Sequence, residues 1–185
     1  MNPENHFIEL PISTRDGRFV ARYSEKGLTG LGFPNGNRKS RDGRIQNNPQ
    51  SAIHNPQLEN WHRMTETALK NILAGRQPKK LPPLDLAGTE FQKRVWNALR
   101  KISTGKTKSY GEIAEAIGKP KAVRAVGGAC GANPVPVLVP CHRVLAANKK
   151  LGGFSGGLDW KRKLLAREGV NPPSAGRFRA AASAA

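Results

Sequence analysis

The sequence is poor in cysteine, in acidic residues and in long apolar runs, and each shortage speaks against a class of protein. Only two cysteines, Cys130 and Cys141, occur in 185 residues. That is too few for a disulfide scaffold. A structural zinc site wants about four closely spaced Cys and His ligands. The four histidines (His6, His54, His62 and His142) are scattered and the N-terminal half has no cysteine, so no metal is expected. The longest apolar run, Val135 to Val139, is far too short to span a bilayer. The opening MNPENHF lacks the basic and apolar regions of a secretion signal. A soluble, non-secreted protein without a membrane partner is expected, cytoplasmic and nucleoid-associated, or nuclear in a eukaryote. Aromatics make up 6% of the chain, but the hydrophobic set of 37% together with 20 glycines reaches the globular range, which argues against wholesale disorder.

What is present in excess is positive charge. There are 31 Lys and Arg against 13 Asp and Glu, a net of +18. The excess is uneven: residues 87–185 hold 18 basic and 5 acidic side chains, a net of +13, whereas residues 1–86 net only +5. Solubility alone accounts for +5 but poorly for +13. A surface this basic favours a polyanion, because each Lys or Arg set on a phosphate releases counterions. No amphipathic helix with a Trp/Phe/Leu face is evident, which weakens an anionic membrane as the alternative.

The text divides in two. From Phe7 to Phe33, alternating apolar and polar residues around Asp16-Gly17 and Glu25-Lys26-Gly27 predict a small antiparallel meander, with Asp16-Gly17 in a hairpin turn. Residues 34–56, rich in Gly, Pro and Asn, read as a long surface loop. Apolar positions Leu58, Trp61, Met64, Ala68, Leu69 and Ile72 repeat at helical spacing. Gly75 to Pro83 reads as a linker. The expected division is an N-terminal α/β domain over 1–84, a mostly helical domain over 85–171, and a disordered tail over 172–185. The fold class is α+β.

In the second half, Thr89 and Gln92 form a capping-box pattern ahead of Phe91, Val95, Leu99 and Ile102, which share one helical face. Ser109-Tyr110-Gly111-Glu112 repeats that pattern at the start of a shorter helix stopped by Gly118. Pro120 fits the first turn of a further helix carrying Arg124. Two short helices joined by Gly118-Lys119-Pro120 predict a helix-turn-helix of winged-helix type, an arrangement that also occurs without DNA. The excess of +13 favours DNA, with the second helix lying along it. After Asn133-Pro134 the prolines at 134, 136 and 140 forbid helix interior, so VPVLVP reads as extended. A last helix runs from Asp159 to Gly169, with Trp160, Leu164 and Leu165 packing.

The extended run delivers Cys141. A lone cysteine is usually a small buried hydrophobe, but this one follows Pro140 and adjoins His142 and Arg143, neighbours expected to lower a thiol pKa. A glycine-rich stretch, Gly152 to Gly157, follows and allows a ligand close approach. Cys130, among small residues of the second short helix, reads as structural.

Arg124-Ala125-Val126-Gly127, Asn133-Pro134 and Pro140-Cys141-His142-Arg143-Val144 strongly resemble the O6-alkylguanine-DNA alkyltransferases, the methylated-DNA–protein-cysteine methyltransferases. Ser109-Tyr110, Phe154-Ser155-Gly156-Gly157 and Leu164 to Gly169 match in the same order. The resemblance is close over 89–170 and loose over 1–85. It implies direct reversal of O6-alkylguanine, and of O4-alkylthymine, in duplex DNA. The alkyl group passes irreversibly to Cys141 in a single turnover, after the nucleotide has been flipped from the stack, without a cofactor. It further implies that His142 acts through a water as base for Cys141, that Glu168 orients His142, and that Tyr110 donates a proton to the departing guanine. Arg124 would fill the gap left by the flipped nucleotide, Asn133 would brace the cysteine turn, and the backbone at Val144 and Ser155 would bind the base edge. Gln92 and Lys119 are candidate phosphate contacts. The partner would be double-stranded DNA bearing O6-alkylguanine, met by a monomer, with cooperative assembly on DNA left open. Phe154 stands where some relatives have Tyr, and the zinc-site cysteines of some relatives are missing.

Three other readings compete. A non-enzymatic alkylguanine-binding relative would lack Cys141. A sequence-reading transcription factor would need base-reading side chains where the second helix has Ala122, Val123, Ala125, Val126, Gly127 and Gly128. A Cys-His hydrolase would leave the charge idle.

Overall fold

The computed structural model describes residues 7–34 and 55–171. Most of the expected 34–56 loop and the whole 172–185 tail lie outside the described residues.

The expected meander is present as strands β1 (Ile8–Thr14), β2 (Gly17–Ser24) and β3 (Gly27–Gly32), paired antiparallel in the order β1-β2-β3. Thr14 pairs with Gly17, so the hairpin turn is Arg15-Asp16 and Gly17 already belongs to β2. Alternation sends Phe19, Ala21 and Tyr23 of β2 inward, where each is essentially sealed from solvent. Helix α1 (Pro56–Leu73) covers this face. Asn55 caps it, its side-chain oxygen accepting from the N–H groups of Gln57 (3.0 Å) and Leu58 (3.1 Å), and Pro56 fills the first position, where no N–H is needed. The Tyr23 hydroxyl donates to Thr65 Oγ1 of α1 at 2.9 Å, so the buried phenol is satisfied.

The stretch expected as a linker is tied to the sheet. Leu28 N–H donates to Pro83 O (2.8 Å) and Asp85 N–H to Leu28 O (2.9 Å). Gly27 permits this approach, because at its φ of +147° a Cβ would stand 2.4 Å from Pro83 O. The main hydrophobic cluster then runs from Ile12 in β1 to Leu164 in the last helix, continuous across the expected domain boundary, and a smaller one gathers Leu145, Leu151 and Leu165.

Helix α2 (Glu90–Arg100) carries the full Thr89/Gln92 capping box, and Val95 and Leu99 face inward as their spacing predicts. Trp96, absent from the predicted face, is also buried, its indole N–H donating to Ala129 O at 2.8 Å. Strand β4 (Lys108–Ser109) leads into α3 (Tyr110–Ala116), which has the second capping box on Ser109 and Glu112. Helix α4 (Val123–Gly131) begins three residues later than the sequence predicts. Pro120 sits in a turn closed by Ala122 N–H on Lys119 O (2.8 Å), not in the first helical turn, and Arg124 falls in the first turn of α4.

The VPVLVP segment is also corrected: it is a tight buried turn and not extended. Val137 takes a left-handed φ of +77°, and Val139 N–H donates back to Val135 O at 3.0 Å. The side chain of Asn133 holds the turn, with Oδ1 accepting from Val135 N–H (3.1 Å) and Nδ2 donating to Val139 O (2.8 Å). The turn ends in a 3-10 turn (Cys141–Arg143) and strand β5 (Val144–Leu145), parallel to β4. Helix α5 (Leu158–Arg167) is the last described element, with Glu168 as its C-cap. Asp16, at the tip of the β1-β2 hairpin, binds Lys163 (2.6 Å) and Arg167 (2.5 Å), and Phe19, Phe33, Phe154 and Trp160 pack in edge-on and tilted pairs between the two halves. Among the described residues, no helix is long and apolar enough to cross a membrane.

Candidate active site

Cys141 opens the 3-10 turn at the floor of a cavity of about 530 Å³, within the range of small-ligand sites. Tyr110, at the first position of α3, and Arg124, in the first turn of α4, line it from one side. Phe154 and Ser155 line it from the other. Tyr110 reaches the cavity because Gly152 (φ +64°) passes beneath it, where a Cβ would stand 2.9 Å from the phenol oxygen. Cys130 lines the same space from α4, which was not expected of a structural cysteine.

Behind the cysteine lies a buried polar cluster. His142 is fully buried and shares a proton with Glu168, Nε2 to Oε1, at 3.1 Å. Arg143, expected beside the thiol, turns the other way. Its Nε and Nη2 donate to the Glu168 carboxylate (3.0 and 2.8 Å), Nη1 to Ile102 O (2.5 Å) and Nη2 to Thr104 Oγ1 (3.0 Å). Burial pushes the Glu168 carboxyl up, but the hydrogen bonds from His142 and Arg143 outweigh it and hold the group at about 2. Glu168 is therefore ionised and can only accept, so the shared proton sits on His142 Nε2. The lone pair is left on Nδ1, which has no protein partner among the described residues. Burial lowers the His142 pKa against the pull of Glu168, so the resting ring is neutral.

This corrects the expectation for the thiol. His142 is neutral and Arg143 is spent on Glu168, so neither lowers the Cys141 pKa. Burial raises it, opposed by the Asn133 amide, which donates to Sγ at 3.2 Å, and by the charge of Lys161. Burial likewise raises Tyr110, reinforced by the nearby Cys130 and Cys141 sulfurs, which keeps the phenol a proton donor.

Of the residues singled out in the sequence, Cys141, Tyr110, Arg124 and Ser155 meet at the cavity, and Asn133, His142 and Glu168 stand directly behind it. Val144 does not line it. It is fully buried in β5 and its carbonyl accepts from Lys161 at 2.6 Å. The Gln92 side-chain oxygen is engaged in its own cap, on Thr89 N–H at 2.9 Å, and Lys119 is exposed in the turn between α3 and α4. Two buried cations of the cluster were missed, Arg143 as the partner of Glu168 and Lys161. Lys161 shares a helical face with Leu164, Leu165 and Glu168, and that spacing is the signal that places it inward. A second cavity of similar volume lies between α1, α2 and the Val137–Pro140 turn, but it holds no nucleophile.

The family model described as "6-O-methylguanine DNA methyltransferase, DNA binding domain" matches residues 90–170. A methylated-DNA–protein-cysteine methyltransferase of Mycolicibacterium paratuberculosis is 59% identical over 91 residues, 49% of this chain and 55% of that one. A protein of the same name from Methanosarcina acetivorans is 45% identical over 162 residues, 88% of this chain and 96% of the relative. Among solved structures, the Mycobacterium tuberculosis O6-methylguanine methyltransferase superimposes with a TM-score of 0.66 at 37% identity, covering 91% of this chain and 96% of that one. The same organism's OGT in complex with DNA gives 0.65 at 36% identity, covering 89% and 94%.

Proposed function

The chain belongs to the methylated-DNA–protein-cysteine methyltransferase family, and on that footing we propose that it repairs O6-alkylguanine in duplex DNA by moving the alkyl group to Sγ of its own Cys141. The observation that carries this reading is Cys141 on the floor of an open cavity, backed by the His142–Glu168 pair.

Guanine O6 faces its pairing partner, so the nucleotide must leave the stack to reach a sulfur at the bottom of a cavity. Helix α4 suits an approach to the duplex. Gly128 and Gly131 leave its backbone uncovered, with nothing within 4 Å of where a Cβ would be. Arg124 projects beside them, exposed, and fills the space left by the flipped base. The surplus of basic residues in 87–185 supplies the sequence-independent attraction to phosphate. Lys119, exposed in the turn ahead of α4, takes part in that attraction. In this reading α3 and α4 act as a helix-turn-helix, residues 85–171 carry the reaction, and residues 1–84 brace α5.

For transfer, the Cys141 proton passes to the free Nδ1 of His142 through a water, and the resulting imidazolium is stabilised by ionised Glu168. The thiolate attacks the alkyl carbon in line, the S–C bond forms as C–O6 breaks, and the electron pair leaves on guanine, which Tyr110 protonates. Asn133 steadies the sulfur and the turn bearing it. The thioether product has no reverse route, so one chain performs one transfer and needs no cofactor. O4-alkylthymine, a smaller base with the same leaving oxygen, fits the same scheme. Such a protein works as a monomer on chromosomal DNA in the cytoplasm.

The test is incubation with a duplex carrying isotopically labelled O6-methylguanine, followed by peptide mapping. Label is expected on the peptide holding Cys141, absent from Cys141→Ala and retained in Cys130→Ala. Label on Cys130 or on no cysteine refutes the assignment.

A further inference from the structure

Lys161 is completely buried, and among the described residues no carboxylate pairs with it. Its ammonium donates to three backbone carbonyls, of Val144 (2.6 Å), Leu151 and Gly153 (3.2 Å), which uses its three N–H groups. Those carbonyls belong to different parts of the site. Val144 follows the turn bearing Cys141 and His142, and Gly153 begins the wall continued by Phe154 and Ser155. A buried cation held only by dipoles is costly unless an opposite charge can form beside it.

The groups around it leave one candidate. Arg143 and Glu168 neutralise each other at the far end of the cluster. His142, on the 3-10 turn, is neutral at rest. Cys130, on α4, is pushed up to about 12, first by burial and then by Cys141, and Tyr110, at the start of α3, is also raised, so neither ionises near neutrality. Lys161 favours the ionised form of both sulfurs, and of the two Cys141 is the one on the turn that Lys161 holds and the one that accepts a hydrogen bond, from Asn133 at 3.2 Å.

We propose that Lys161 is the fixed counter-charge of the Cys141 thiolate and, through Val144 and Gly153, the tie that holds the cysteine turn against the opposite wall of the cavity. It is a positioning residue that acts through electrostatics and never touches the alkyl group. With Cys141 as thiol the buried cluster carries one net positive charge, and with Cys141 as thiolate it carries none. The tie alone would set geometry, whereas the counter-charge sets how much thiolate exists at a given pH. The inference rests on Cys141 being the alkyl acceptor.

The experiment reads thiolate directly, without DNA. In a Cys130→Ala background, the rate of Cys141 carbamidomethylation by iodoacetamide is followed against pH by intact mass, for Lys161, Lys161→Met and Lys161→Arg chains. Below its pKa a thiol loses about tenfold in rate per pH unit. Lys161→Met is expected to shift the profile to higher pH by about one unit, with a tenfold slower reaction at pH 7 that converges on the parent rate at high pH, while Lys161→Arg stays near the parent. A Lys161→Met profile superimposable on the parent, with methyl transfer from DNA slowed equally at every pH, shows a tie and no counter-charge and overturns the proposal. If Lys161→Met does not fold, the Cys130→Ala chain decides by reciprocity. Lys161 titrates near 8 because burial lowers it against the opposing pull of the two cysteine sulfurs. Capping Cys141 with iodoacetamide must therefore lower the Lys161 titration followed by NMR, and an unchanged titration refutes the counter-charge. Failure of Cys141 to accept a methyl group from DNA would overturn the proposed repair reaction and leave these readings intact.

Discussion

Replacing Glu168 by Gln separates what the buried cluster does for stability from what it does for reaction. Glu168 and Arg143 side chains are 1% and 3% exposed, so solvent screens their attraction little. Glu168→Gln leaves a buried guanidinium without its charge partner, which costs about 3–5 kcal/mol of folding free energy. For a chain of this length that is a fall in Tm of roughly 6–20 °C. It also removes the carboxylate that stabilises the His142 imidazolium, and loss of such a general-base relay slows transfer by about 10²–10⁴-fold. The double variant Arg143→Met/Glu168→Gln takes both charges away. Since neither member of the pair then leaves an uncompensated charge, most of the lost Tm should return, short of about 1–3 kcal/mol for the carbonyl of Ile102 left unpaired. The rate should not return, because His142 still lacks its carboxylate. Calorimetry and single-turnover transfer on an O6-methylguanine duplex read the two quantities. Recovery of rate together with Tm in the double variant would refute the electrostatic role of Glu168 and reduce it to packing.

Other outcomes follow from the same contacts. Hydrogen bonds from Arg167 hold Asp16 at about 2, well under its ordinary 3.8, and those from His142 and Arg143 hold Glu168 at about 2 against an ordinary 4.5. A depressed folded-state pKa gives stability that is complete above the unfolded values and drains as pH falls toward 2. Tm should therefore begin to fall below about pH 6.5, where unfolding lets His142 take up a proton that burial denies it, and fall further below pH 5, with a shallower acid limb in Asp16→Asn, as measured by pH-dependent calorimetry. Arg124→Ala should slow repair of duplex DNA while leaving the iodoacetamide reactivity of Cys141 unchanged, because Arg124 stands at the rim and touches none of the cluster behind the sulfur; a parallel loss of both would contradict its placement. Gly152→Ala should slow transfer with little change in affinity for undamaged duplex, since its Cβ would press on the Tyr110 oxygen and a left-handed φ strains the backbone.

Local rules carried the sequence a long way. The capping boxes at Thr89 and Ser109 and the inward faces of α1 and α2 depend on neighbours within four residues, and the meander on strands joined by short turns, and they are where their spacing puts them. The errors come from contacts distant in sequence. VPVLVP reads as extended because its prolines forbid helix, yet the side chain of Asn133 bends it into a turn by replacing backbone partners. Arg143 sits two residues from the thiol in sequence, but Glu168, 25 residues on, takes its guanidinium. Sequence neighbours therefore misread the thiol's electrostatics, and the cation that does act on it, Lys161, lies on another element. The delayed start of α4 reflects the turn that Lys119–Ala122 closes on itself before the helix begins.

The most direct measurement of the central claim is a titration to completion. A fixed amount of protein is mixed with increasing O6-methylguanine duplex, and transferred methyl is counted per chain by intact mass. Transfer is expected to stop at one methyl per chain, all of it on Cys141, however much duplex is added. Continued turnover beyond one, or a plateau with Cys141 unmodified, would contradict the assignment of that sulfur as the acceptor.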